Sequence, residues 1–310
     1  MQKHSYITDF TGICNRLEAL VLAFAIRERH GHEIRISWPE CDALQVAGVR
    51  VKKPGLFSFY NRIKIRDCDA ATFERLSQFH NVWIRGLFGA PDELADRCLP
   101  KVAESLKLLP ALAETVRKTL ATGNRPLVGV HVRRGDFTVA QNGQFNLAQQ
   151  KYNAVPDWLL LHGMKLLKAR CPEVRFLICC TGDRQHYRAL FDQFDCFCVE
   201  SQSPYGYKGP GHASSTHPVA DLFALACCDV VLATPASSFS HWAANVLGKP
   251  ATVIMPPGEV SDSAPRLVKC KLGQTRLPKW NTASRNGIGV EVIQSAKDMP
   301  MPGVPHTEWL

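Results

Sequence analysis

Leu127-Val128-Gly129-Val130-His131-Val132-Arg133-Arg134-Gly135-Asp136 is an apolar run that stops abruptly at two cations, a glycine and an acid. Such a run, broken only by one histidine, reads as a strand covered on both faces, the kind found in a parallel sheet. The turn-rich residues 122–126 just before it mark a boundary between two domains. Downstream the pattern predicts a helix at 156–170, an apolar strand at 174–180, a Gly- and Ser-rich loop at 201–216, a helix at 218–227, a strand at 229–233 and a helix at 239–247. Upstream it predicts a strand at 6–10 and a helix at 15–29 that is apolar on every side from 19 to 26, and so buried on more than one face. Gly31 supplies the helix stop. Ile34, Ile36 and Trp38 alternate with polar residues as in a strand. Short strands follow at 49–51, 63–65 and 82–84, and 91–121 is helical in pattern but punctuated by Pro100 and Pro110. Two successive α/β runs predict two Rossmann-like, doubly wound lobes with a cleft between them. Their expected limits are 1–122 and 123–255, with a less regular tail at 256–310.

Composition narrows the field. The chain has 310 residues, 45% of them hydrophobic and 21% charged, the balance of a soluble globular protein. No run is long enough to span a bilayer, and the first residues lack a basic-then-apolar leader, so a cytoplasmic location is expected, with at most peripheral membrane association. The 12 cysteines include no C-x-x-C pair, which argues against a zinc site and for reduced core thiols. The formal charge of +9 suits an anionic ligand, an acidic membrane surface or nucleic acid. Because no basic run exceeds two residues, nucleic acid is not expected as a partner.

Five places carry candidate chemistry. Arg133 and Arg134 leave a buried strand in extended chain, where consecutive side chains diverge, so they cannot easily grip one group. One is expected to face the cleft and an anion, the other to pair within its own domain, with Asp136 as a partner. A structural ion pair at a strand end is the competing reading. Residues 228–240 read as strand, tight turn, serine pair and helix. The start of that helix before Phe239, with Ser237 and Ser238, is either an anion site or an ordinary cap. Asp221 lies in the first turn of its helix, where it either complements the helix dipole or accepts hydrogen bonds from a base. Gly12, Asn15 and Arg16 form a glycine turn that either lines the cleft or merely joins strand to helix. Asp183, after a strand, qualifies by position.

The run His131-Val-Arg-Arg-Gly-Asp136 resembles the first motif of the superfamily of α1,2-, α1,6- and protein O-fucosyltransferases. The stretch from Asp221 through Cys228-Asp-Val-Val-Leu-Ala-Thr-Pro-Ala-Ser-Ser-Phe-Ser240 to Trp242 is similar to its later motif, and Gly12-Ile-Cys-Asn15-Arg16 resembles its N-terminal loop. The resemblance implies a GT-B fold whose C-terminal lobe holds a GDP-sugar. It places Arg133 on the β-phosphate, His131 beside the nucleotide, Asp221 on guanine, and Ser237 and Ser238 on the diphosphate.

The implied reaction moves fucose, or a related sugar, from a GDP-sugar to a hydroxyl acceptor with inversion and without a metal. Arg133 and the helix start would take up the charge of the leaving diphosphate. Some α1,6-type members carry a glutamate shortly after the first motif. Gln141, Asn142 and Gln144 stand there in this chain, and Asp136, Asp9 and Glu18 do not settle which group is the base. Two rivals stay open: a metal-dependent GT-A enzyme using Asp67 and Asp69, and a GDP-sugar-binding protein without turnover.

Overall fold

A computed structural model of the chain describes residues 2–86, 89–121, 123–140, 143–180, 187–200, 217–271 and 290–310. They form two units, Met1–Leu109 and Pro110–Leu310. This division precedes the turn-rich 122–126, and it assigns the helix after Pro110 to the second unit, where that helix contacts the one that begins at Pro218.

The first unit runs β1 (His4–Thr8), α1 (Ile13–His30), β2 (Glu33–Ser37), β3 (Leu44–Val46), β4 (Arg50–Val51), β5 (Arg62–Ile65), α2 (Ala70–Arg75), β6 (Asn81–Ile84), α3 (Asp92–Ser105) and β7 (Leu106–Leu108). Five parallel strands make its sheet in the order β4-β2-β1-β6-β5. β3 and β7 form a separate antiparallel ribbon. That ribbon interrupts the helical pattern expected across 91–121. As the all-round apolar pattern requires, α1 is buried on every side from Leu17 to Ile26. Gly31 ends it in the left-handed conformation (φ 72°), its N–H donating to the Arg27 carbonyl at 2.9 Å.

The second unit comprises α4 (Pro110–Leu120), β8 (Leu127–Val132), β9 (Phe145–Asn146), α5 (Asp157–Arg170), β10 (Arg175–Cys180), α6 (Arg188–Gln193), β11 (Cys196–Phe197), α7 (Pro218–Leu225), β12 (Val230–Leu232), α8 (Ser238–His241), β13 (Thr252–Met255), β14 (Glu259–Val260), β15 (Leu267–Cys270) and β16 (Glu291–Ile293). Its main sheet has the order β11-β10-β8-β12-β13-β15-β16. The first five of these strands are parallel, and β15 and β16 add antiparallel partners at one edge. Numbered by chain order, the parallel strands read 3-2-1-4-5, the doubly wound order. The order reverses between β8 and β12, so their C-terminal ends form the switch point, where ligands of such sheets gather. Right-handed crossovers then put α5 and α6 on one face and α7 and α8 on the other.

The pleat of β8 sorts its residues between those faces. Val128, Val130 and Val132 join the core with Leu159, Met164 and Leu167 of α5. Gly129 and His131 face the other way, and Gly129 is small because α7 lies close: a Cβ there would meet the Leu225 side chain at 2.4 Å. The tail is more ordered than its composition suggests, since β15 and β16 extend the main sheet and β14 pairs with β9. The expected loop at 201–216 lies outside the described residues.

Candidate functional site

The chemistry gathers where β8 and β12 end. His131, last but one in β8, is 4% exposed. Its Nδ1 lies 2.7 Å from the Ser240 hydroxyl, and its ring stacks on Phe239 at 4.8 Å. Burial, with the Arg133 charge as a smaller contributor, lowers its pKa from 6.5 to about 3, so the ring is neutral.

Two hydrogen bonds tie the strand exits together. The Thr234 hydroxyl donates to the His131 carbonyl at 2.8 Å and accepts from the Arg133 N–H at 3.3 Å, using both of its capacities. The Thr234 N–H donates to the Ser240 hydroxyl at 3.2 Å. The start of the Arg133 loop is therefore fixed against the β12 turn. Thr234 and Ser240 were within the quoted motif, but no spacing rule marks a hydroxyl that bridges two strands from different parts of the chain.

Beyond Val132 the alternation of the strand continues. Arg133 stays on the His131 face, and its fork meets Asp136 in two bonds, Nε to Oδ1 at 2.8 Å and Nη2 to Oδ2 at 2.9 Å. Arg134 turns the other way and reaches Asp157, in the first turn of α5, at 2.7 Å. The two arginines serve different carboxylates, as the extended chain demanded. Each arginine has a carboxylate partner within the second unit, and Asp136, expected as such a partner, is held by Arg133. Gly135, at φ 89°, makes the sharp turn that brings Asp136 back onto Arg133. Asp157 drew no attention in the sequence, where it reads as a helix-start acid.

The serine turn differs from its expected form. β12 leads through Thr234 and Pro235 to Ala236, which sits in the left-handed region at φ 59°. Ser237 is buried and holds the N-cap position without a side-chain capping bond, and Ser238 and Phe239, both half-buried, open α8. The helix expected over 239–247 is four residues of α-helix followed by a π-helix, Trp242–Val246. The change to wider i→i+5 bonding after one turn sets this segment apart from the expected regular α-helix. Asp221 lies in the first turn of α7, 4% exposed, and its carbonyl accepts from the Cys179 thiol of β10 at 3.5 Å. It too stands at the C-terminal end of the sheet. Asp183 lies outside the described residues.

Gly12, Asn15 and Arg16 belong to the first unit, at the exit of β1. Gly12 is the extended N-cap residue of α1, and the Asn15 amide donates to the Thr11 hydroxyl at 3.1 Å. Arg16 is wholly buried and ion-paired with Asp9 and Glu40, the latter fully buried as well. A guanidinium so enclosed braces the loop from within, which is the joining role weighed for this turn. Its partner Asp9 is engaged there too, and Glu18 is buried. Asp69 caps α2, accepting from the Thr72 N–H at 2.7 Å, a bond that lowers its carboxyl pKa. Among the described residues, no three His, Cys, Asp or Glu side chains are grouped to hold a metal ion. None of the 12 cysteines is disulfide-bonded.

Comparison with solved structures gives relatives in fold. NodZ alpha-1,6-fucosyltransferase soaked with GDP-fucose matches with a TM-score of 0.53 and 16% identity, covering 87% of this chain and 99% of that one. POFUT1 in complex with GDP matches with a TM-score of 0.51 and 10% identity, over 78% of this chain and 94% of that one. A FUT1 variant from Arabidopsis thaliana in complex with GDP matches at 0.50 and 8%, over 84% and 72%. At such identities the likeness speaks for the fold, that of the GT-B fucosyltransferases. No curated protein matches the chain by sequence. The profile of glycosyl transferase family 11 matches residues 101–283, more than half of the chain, including β8, its arginine exit and the serine turn. On that match, the chain belongs to glycosyl transferase family 11.

Proposed function

We propose that the chain is an inverting, metal-independent fucosyltransferase that moves fucose from GDP-fucose to a hydroxyl of a glycan or another acceptor. The observation that carries this reading is the position of Arg133. It leaves the central strand of a 3-2-1-4-5 sheet at the switch point, its N–H tied to Thr234 three residues before Ser237. A guanidinium fork that already holds a carboxylate through two bonds has the geometry to hold two phosphate oxygens. The GDP and GDP-fucose named for the structural relatives support the choice of donor.

In this reading the anomeric C–O bond breaks, and GDP leaves with the bonding electrons while the sugar gains oxocarbenium character. Arg133 exchanges Asp136 for the β-phosphate and neutralises the growing charge, with Ser237 and Ser238 donating to the diphosphate. Neutral His131 supports this arrangement without adding a second cation. Asp221 accepts from the guanine N–H groups. The acceptor hydroxyl oxygen attacks the face opposite GDP, which inverts the centre, and its proton passes to solvent as the glycosidic bond forms. The helix-capping role of Asp69 speaks against a metal carried by Asp67 and Asp69.

Arg133→Ala tests the proposal. Fucose transfer and GDP release should fall by at least about a hundredfold, the scale of losing one transition-state charge partner, with the melting temperature nearly unchanged. Asp221→Ala should chiefly raise the KM for the donor. Transfer by wild type should persist in excess EDTA. Unaltered kinetics in Arg133→Ala, or loss of transfer on chelation, would overturn the reading.

A further inference from the structure

The connection between the two edges of the first sheet carries a surface that donor chemistry leaves unused. β4 is one edge of that sheet and β5 the other. Between them the chain makes a single 3-10 turn, Leu56–Phe59. The turn is fastened from beneath. The buried Asn81 amide donates to the carbonyls of Phe57 and Tyr60 at 3.1 and 2.6 Å, and the Trp83 indole donates to the Ser58 carbonyl at 3.1 Å. Phe59 packs on the Trp83 ring at 5.4 Å. With its backbone held this way, the turn points Leu56 and Phe57 outward, 90% and 85% exposed in the intact chain, and Val51, Phe59 and Tyr60 are exposed beside them. Single exposed apolar residues are common, but five within ten positions form a patch that calls for a partner.

Along the chain from 43 to 66 the charge has one sign. Arg50, Lys52, Lys53, Arg62, Lys64 and Arg66 are all exposed, and no acidic residue lies between Asp42 and Asp67. Arg50 pairs with Glu33, and Arg62 lies over the Phe59 ring at 4.8 Å. The others flank the turn as long cationic side chains. Apart from Lys52-Lys53, other residues separate these charges along the chain.

We propose that this turn docks the protein on an anionic membrane surface, with Leu56 and Phe57 entering the boundary between headgroups and acyl chains and the flanking lysines and arginines meeting lipid phosphates. An exposed apolar tip flanked along the chain by cations complements a bilayer, whose anionic layer lies above its apolar one. An acidic protein partner would instead have to offer an apolar socket to Leu56 and Phe57. The proposal does not depend on the identity of the donor sugar.

Co-sedimentation of the full chain with phosphatidylcholine vesicles, with and without phosphatidylglycerol, tests it. The chain should bind the phosphatidylglycerol vesicles and lose binding as salt rises. The double variant Leu56→Ser/Phe57→Ser should bind at least about tenfold more weakly with an unchanged melting temperature, because both side chains are solvated in the folded chain. Lys52→Glu/Lys53→Glu should also bind at least about tenfold more weakly. Absence of phosphatidylglycerol-dependent binding, or binding that neither variant alters, would overturn the proposal. Self-association of the wild type that Leu56→Ser/Phe57→Ser abolishes, without vesicle binding, would reassign the turn to a protein interface.

Discussion

At the scale of single residues, His131 links burial to pH. Its pKa in the folded chain lies near 3, and burial depresses that of His32 in the first unit to about 4, against 6.5 in an unfolded chain. Below about pH 6.5 the unfolded chain therefore takes up protons that the native chain refuses. The histidines' contribution to native stability is full above that pH and falls as pH drops toward the folded values, each histidine contributing a slope of up to about 1.4 kcal/mol per pH unit. Urea midpoints measured between pH 7 and about 4 should decline, and His131→Gln should flatten the decline; an equal slope in that variant would dismiss the histidine as its source. Thr234 sets a second expectation. Thr234→Val keeps the shape and removes both strand-exit bonds, which should cost about 1–3 kcal/mol and lower kcat more than it raises the donor KM. Thr234→Ser should restore the rate; no rescue would make the loss one of packing. Arg133 and Asp136 were legible in the sequence because charge at the end of a buried strand needs a reason. The burial of Arg16 was not, since its partner Glu40 comes from a distant 3-10 turn.

Among the elements, the strands and helices around the switch point were readable because each carries a long apolar period: 127–132, 156–170, 174–180 and 218–227 all correspond to observed elements. β15 and β16 were not readable, being four and three residues long and recognisable only by their pairing with β13 and with each other. The π-helix after α8 was equally hidden, because it changes hydrogen bonding and leaves the hydrophobic pattern intact. The turn before α8 yields its own expectation. Ala236 is exposed and holds φ 59°, where a Cβ is strained. Ala236→Gly relieves that strain but loosens the unfolded chain. The first effect should win by up to about 1 kcal/mol, seen as a small rise in melting temperature, provided no other contact changes. A fall would mean that the local backbone tolerates the side chain without strain.

For the molecule as a whole, the last residues close the second unit at the end of the sheet opposite the site. Gly303 accepts from the Leu127 N–H at the start of β8, and the His306 N–H donates to the Cys227 carbonyl, both at 2.9 Å. Trp309 stacks on Phe223 of α7 at 5.4 Å and packs against Gly248, where a Cβ would lie 2.9 Å from the indole. Removing residues 303–310 should therefore lower the melting temperature by several degrees and leave the donor KM of the folded fraction little changed. A shift in KM without a loss of stability would show that the tail acts on the site directly. The overall charge of +9 favours the approach of anions. Close in, the clasp of Arg133 by Asp136 changes what they find. In the proposed role an incoming diphosphate must outbid a resident carboxylate, so a lone inorganic phosphate gains little, and only a ligand gripped elsewhere as well can dislodge the acid. In that role the aspartate would favour whole nucleotide sugars over simple anions.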